Sequence, residues 1–178
     1  MKEEALQVLK ERRSIRKFKP GQITQEELDA VLEAGTYAPT AGGKQTPIIV
    51  AAQDPETVAK LDEMNAAVIN GGKGGASLHP YYGAPTILLV LEPEDAMVPD
   101  LDSASVACNL VNAAYAVGLG SCWIHRAKDM FASDEGKELL EKWGLPKTLK
   151  GVCSVALGYA DEPLPTPFPR KVGYIVKV

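Results

Sequence analysis

The chain has 178 residues, 46% of them hydrophobic and 24% charged, with a formal net charge of −4. That length supports a single domain over residues 1–178 with a real core, while the acidic balance excludes a general nucleic-acid binder, which would show a broad basic surface. No apolar run is long enough for a membrane span and no apolar segment follows Met1, so neither a membrane anchor nor a secretory leader is expected. Cys108, Cys122 and Cys153 form no Cys-x-x-Cys pair, and an odd count leaves one thiol unpaired, which fits a reducing cytoplasm. His79 and His125 are far apart and near no carboxylate-rich spacing, so no metal site is expected.

Residues 2–13 read as an amphipathic helix on Ala5, Leu6, Val8 and Leu9, with glutamates early and arginines late as the helix dipole prefers. Five basic residues follow or overlap its end: Arg12, Arg13, Arg16, Lys17 and Lys19. Guanidinium forks beside the hydroxyl of Ser14 suit a compact dianion such as a phosphate. The same cluster also reads as a solvated face or a localisation patch. A helix C-terminus repels anions, so side chains rather than a helix dipole would have to do the binding.

Thr24-Gln-Glu-Glu27 is a capping box that opens a second helix, with Leu28, Val31, Leu32 and Gly35 on its inner face. Residues 37–47 then form a loop of small residues bounded by two prolines, where Gly42 and Gly43 permit close approach of a ligand to the backbone. Ile48 to Ala52 predicts a short strand, and Asp54-Pro55 a helix start with Val58, Leu61 and Met64 as its apolar stripe. Residues 70–83 are glycine-rich and irregular. The Gly-Gly around Lys73 superficially suggests a phosphate loop, but the Walker spacing and the following serine or threonine are lacking.

Thr86 to Leu91 predicts a central strand, apolar on both faces, and residues 101–117 a fully buried helix, apolar nearly all round. Asn109 and Asn112 lie within that helix and need partners. Gly118 to Ile124 turns into another strand, residues 133–143 predict an amphipathic helix, and Val152 to Leu157 a further strand. A proline-rich segment, 163–169, leads to Arg170-Lys171 and a last alternating strand, Tyr174 to Val178. Such an arm has little of its own chain to pack against and suits completion of a sheet on a partner subunit.

Arg12-Arg-Ser-Ile-Arg-Lys-Phe18 after a helix resembles the opening motif of the FMN-dependent nitroreductase family. Ala38 to Gln45 resembles its second flavin loop, Gly118 to Ile124 its third signature, and Leu157-Gly-Tyr159 with Arg170-Lys171 its fourth. The motifs occur in the family's order and cover most of the chain. The resemblance implies an α+β fold: a three-layer α/β/α sandwich around a small mixed, mainly antiparallel sheet, with an extended C-terminal arm. It implies tightly bound FMN, with Arg12, Arg13, Ser14 and Arg16, joined by Arg170 or Lys171, on the phosphate and ribityl chain. Pro39, Thr40, Ala41 and Gly43, with Gln45 nearby, would line the isoalloxazine and ribityl region. Ile124 and His125 would lie over the other face of the flavin, with a backbone N–H near flavin N5. Lys73 would be a lid residue or a second contact to the cofactor's polar edge.

By the same resemblance the chain is a homodimeric oxidoreductase with flavin sites at the interface. NADH or NADPH would reduce the flavin, and a nitroaromatic, quinone or similar acceptor would then take its place, in a ping-pong cycle. Dehalogenation, enone reduction, flavin fragmentation or non-catalytic flavin binding are the alternatives on such a fold. No side chain needs to be catalytic, because the flavin carries the chemistry. His125 would matter for its backbone and Cys122 as core. The sequence departs from the family pattern at Gly43, where asparagine is common, and at Thr46-Pro47, where Pro-Trp is common.

Overall fold

The computed structural model describes residues 2–71 and 78–178; Lys73 lies outside the described residues. In chain order the described elements are α1 (Lys2–Glu11), α2 (Gln25–Thr36), β1 (Ile48–Ala52), α3 (Pro55–Ile69), β2 (Thr86–Glu92), α4 (Pro99–Ala116), β3 (Gly120–Ile124), α5 (Ala127–Ala132), α6 (Asp134–Lys142) and β4 (Lys150–Gly158). Helix starts follow the expected chemistry. Thr24 and Glu27 form the reciprocal capping box of α2, Asp54 caps α3 ahead of Pro55, and Ser133 caps α6.

The sheet runs β1-β2-β4-β3, and every pairing within it is antiparallel. Parallel pairing is confined to an isolated bridge between Ser14 and Ser121, so the parallel component sits at the sheet's margin. Alternation along the strands divides the core into two layers. Ile87, Leu89, Leu91, Cys122, Ile124 and Ala156 face α3, α5 and α6. Leu88, Val90, Cys153, Val155 and Leu157 face α2 and α4. β2 is buried along its whole length, as its uninterrupted apolar run requires.

Three expectations change. Helix α4 is not buried all round: Val106, Ala107, Leu110, Val111 and Ala114 enter the core, whereas Cys108 is exposed and Leu101 is 68% exposed. Its small alanines give no periodic contrast from which the open face could be read. Helix α1 likewise presents Leu6 and Leu9 to solvent. Tyr174 to Val178 forms no strand; it is extended and exposed, because no sheet edge of its own chain lies beside it. Helix α5 adds an element the sequence does not announce, since its six residues are too few to show a period.

Candidate cofactor site

Residues 14–18 cross the ends of β3 and β4. Ile15 N–H donates to Ser121 O at 2.9 Å, Lys19 N–H to Tyr159 O at 2.9 Å, and Asp161 N–H to Lys17 O at 2.9 Å. Ile15 and Phe18 point into the core, at 1% and 8% exposure. The outward side chains are then the basic ones. Two motif glycines make room for this. A Cβ on Gly120 would stand 3.1 Å from Ile15, and one on Gly158 would stand 2.8 Å from Pro85 and 3.2 Å from Phe18.

Arg12, Arg13, Ser14 and Arg16 line one groove of about 810 Å³, closed on its other side by residues 165–170. Lys10 and Arg170 join them, and no carboxylate lines the groove. The cations therefore converge from both ends of the chain. Lys171 is exposed and does not line the groove. Arg13 donates to Lys10 O at 2.7 Å and Arg12 O at 2.8 Å, capping the end of α1, and its buried Nε has no partner. A groove lined by five cations and no carboxylate fits an anion such as a phosphate. Lys17 turns away and pairs with Asp161 at 2.9 Å.

Cys122 lies below this cluster. Burial pushes its thiol up, while Arg16, Ser14, Arg12 and Arg126 act in the opposite direction. Burial also pushes the Cys153 thiol up to about 12. Raised thiols are poor nucleophiles, so both cysteines serve as core. His125 is exposed directly after buried Ile124, at the end of β3. Arg126, which follows, is tied to α3 by an Nε–H bond of 2.5 Å to Asn65 Oδ1.

The second loop is compact. Ala41–Gly43 form a 3₁₀ turn, with Gly42 and Gly43 at φ 60° and 66° and Gln45 at φ 53°. Gln45 N–H donates to Thr40 Oγ1 at 2.9 Å. Thr40 and Gln45 line a smaller hollow of about 360 Å³ against α2. Pro39 and Gly43 are exposed, and Ala41 is half-buried.

Within one chain this loop and the basic groove are apart. The loop leads into β1 and touches Asp102 at the start of α4, while Ser14 pairs with β3 and Glu11 accepts from Tyr115 at the end of α4. β1 and β3 are opposite edges of the sheet. Asp102 and Tyr115 are thirteen residues apart on α4, about 20 Å at 1.5 Å per residue.

A further hollow of about 1200 Å³ lies against α3 and residues 78–85 and holds none of the expected site residues. Three of its polar residues are bonded together: Asp62 accepts from Tyr81 N–H at 2.9 Å and lies 2.8 Å from His79 Nδ1. Sequence reasoning passed over Lys10, Asp102 and Arg126. A single aspartate on the core face of an alanine-rich helix was the one available signal, for Asp102. Asn109 finds its partner in Ala34 O at 2.9 Å.

Fold and groove together define a three-layer α+β protein with a carboxylate-free groove of cations where the N-terminal segment crosses the ends of two strands. A family model described as the nitroreductase family matches residues 9–159. The chain belongs to the nitroreductase family. It resembles the nitroreductase of Bacteroides fragilis solved with bound FMN, at 30% identity and a TM-score of 0.90, covering 98% of each chain. The nitroreductase of Desulfitobacterium hafniense, also solved with bound FMN, is 25% identical with a TM-score of 0.86, again over 98% of each chain. An NADPH-dependent oxidoreductase of Staphylococcus saprophyticus is 27% identical over 91% of this chain and 67% of its own length. No helix among the described residues is long and apolar enough to cross a membrane.

Proposed function

We propose that this chain is an FMN-dependent oxidoreductase that uses NADH or NADPH to reduce a small acceptor such as a quinone or nitroaromatic. The observation that carries the reading is the groove of Arg12, Arg13, Ser14, Arg16 and Arg170, which Lys10 joins and no carboxylate lines. The FMN-bound relatives support the same ligand. Bound FMN would accept hydride from the nicotinamide and pass electrons to the acceptor.

The chain's own residues bind and orient. Arginine forks hold the phosphate against the end of the sheet. The Thr40–Gln45 turn offers the Gly42 N–H, uncommitted by its internal bonds, at a site where glycines allow close approach. His125, on a short link between β3 and α5, contributes its backbone N–H at the reacting edge, with its imidazole left at the rim. Cationic and N–H groups near the flavin stabilise negative charge as it develops. Lys44, within the turn, or Lys73 would supply the cation for that role.

Two copies complete each site. The groove and the loop, about 20 Å apart along α4, meet when α4 of one copy packs against α4 of another in the opposite sense. The open apolar residues Leu6, Leu9 and Leu101, and the exposed arm with Phe168, Tyr174 and Ile175, supply the surface for that assembly. We take the setting to be the cytoplasm.

Purified protein should be yellow, release FMN on denaturation and consume NAD(P)H steadily when a quinone is added. A colourless protein that cannot be reconstituted with FMN would sink the reading. Full FMN loading without turnover on any nicotinamide donor would leave a flavin carrier instead of an enzyme.

A further inference from the structure

We propose that Asp102 is a positioning residue of the cofactor loop; this rests on the flavin reading above. Asp102 lies in the first turn of α4 and is 6% exposed. Both of its carboxylate oxygens accept the Ala41 N–H, at 3.0 and 3.1 Å. Among the described residues, this is the side-chain bond that ties residues 40–45 to the body of the protein. The turn's other bonds are internal: Gly43 N–H to Thr40 O at 2.9 Å, Lys44 N–H to Ala41 O at 3.3 Å, and Gln45 N–H to Thr40 Oγ1 at 2.9 Å.

The setting argues that this anchor has a use beyond packing. A buried carboxylate is expensive unless its charge is met, and Asp102 makes no ion pair among the described residues. The Ala41 N–H and the start of α4 are the polar groups that meet it. Nearby, Glu92 is fully buried with Oε1 held at 3.3 Å by Ser103 and Oε2 without a partner. Beyond Ala41 the backbone takes three left-handed residues in four, Gly42, Gly43 and Gln45. Gln45 carries a side chain and is strained there. A strained turn keeps its shape only when its surroundings hold it. Asp102 holds this one at its first residue and so sets where the turn, with the Gly42 N–H left uncommitted by its internal bonds, meets a ligand.

The test uses Asp102→Ala and Asp102→Asn in the full-length protein. Three readouts are compared: hydrogen exchange at the Ala41 amide, FMN affinity by fluorescence titration of apoprotein, and the midpoint of thermal unfolding. Asp102→Ala should speed Ala41 exchange and weaken FMN binding by about tenfold to a hundredfold. Asp102→Asn keeps a carbonyl acceptor and should restore both to within about threefold of wild type. A role confined to folding would lower the unfolding midpoint without this split between the variants. Should Asp102→Ala not fold, Ala41→Pro removes the same bond from the donor side at a position where proline is tolerated, and should weaken FMN comparably. Wild-type FMN affinity in Asp102→Ala, or Ala41 exchange at the wild-type rate, overturns this proposal while leaving the functional reading intact. Wild-type protein that binds no FMN defeats the functional reading, and the loop's ligand with it.

Discussion

Gly120 and Gly158 face each other across β3 and β4, and the N-terminal basic segment is seated on the pair. Ile15 packs over Gly120 and Phe18 over Gly158, leaving the arginines between and before them to face outward. Gly120→Val puts two methyl groups where Ile15 now lies. Overpacking of this kind costs roughly 1–3 kcal/mol, visible as a lower urea midpoint. Because the same shift carries Arg12 and Arg16 with it, FMN affinity should fall as well. An unchanged affinity in the destabilised variant would show that the anchors and the groove are independent.

Arg12 and Arg16 are predicted to hold the phosphate and to contribute little to folding. Neither side chain makes a hydrogen bond or ion pair among the described residues. The double variant Arg12→Ala/Arg16→Ala should weaken FMN binding by roughly a hundredfold, about tenfold for each charge-assisted hydrogen bond removed. Its circular dichroism and urea midpoint should match wild type. A collapsed fold with full flavin affinity in the surviving protein would instead make the cluster structural.

If two copies complete each site, lesions in different halves should complement. Gly43 sits at φ 66°, and a valine there is strained by about 1–2 kcal/mol, enough to remodel the turn. Homodimers of Gly43→Val and of Arg12→Ala/Arg16→Ala should each bind FMN weakly. In mixed dimers one site carries both lesions and the other carries neither, so half of the sites should bind at wild-type affinity. No recovery in purified mixed dimers would mean that each site is built within one chain.

Glu92 predicts a pH dependence of stability. Burial pushes its carboxyl above the usual 4.5, the nearby hydroxyls of Thr46 and Ser103 oppose this, and the charge of Asp102 adds to it. The folded state then holds its proton more tightly than the unfolded chain. Its contribution is fully present below pH 4.5 and is lost as pH rises through the folded value. Glu92→Gln lacks that loss, so its advantage over wild type should widen as pH rises above 4.5, as read from urea midpoints. Parallel curves for the two proteins would rule the titration out.

Local chemistry was legible from the sequence wherever a short pattern has one physical solution. The Thr24–Glu27 capping box, the Asp54-Pro55 start and the apolar run of β2 need only neighbouring residues to specify them, and each stands where expected. Helix α4 was half-legible: its apolar composition announced burial, but alanine and cysteine are equally at home on a core face and on an open one. The Tyr174–Val178 strand was read from alternation, and alternation says which residues share a face without supplying a neighbouring edge.

The basic segment at residues 12–19 shows the same division. Its composition alone suits an anion and equally a solvated face, because clustered guanidinium groups serve both. That Arg13 turns back to cap α1, that Lys17 is spent on Asp161, and that Arg170 arrives from the far end of the chain were decided by packing on Gly120 and Gly158. Only the tertiary structure could separate the groove from the Thr40–Gln45 loop by the length of α4. Sequence order places both near the start of the chain, and only the sheet puts them at opposite edges.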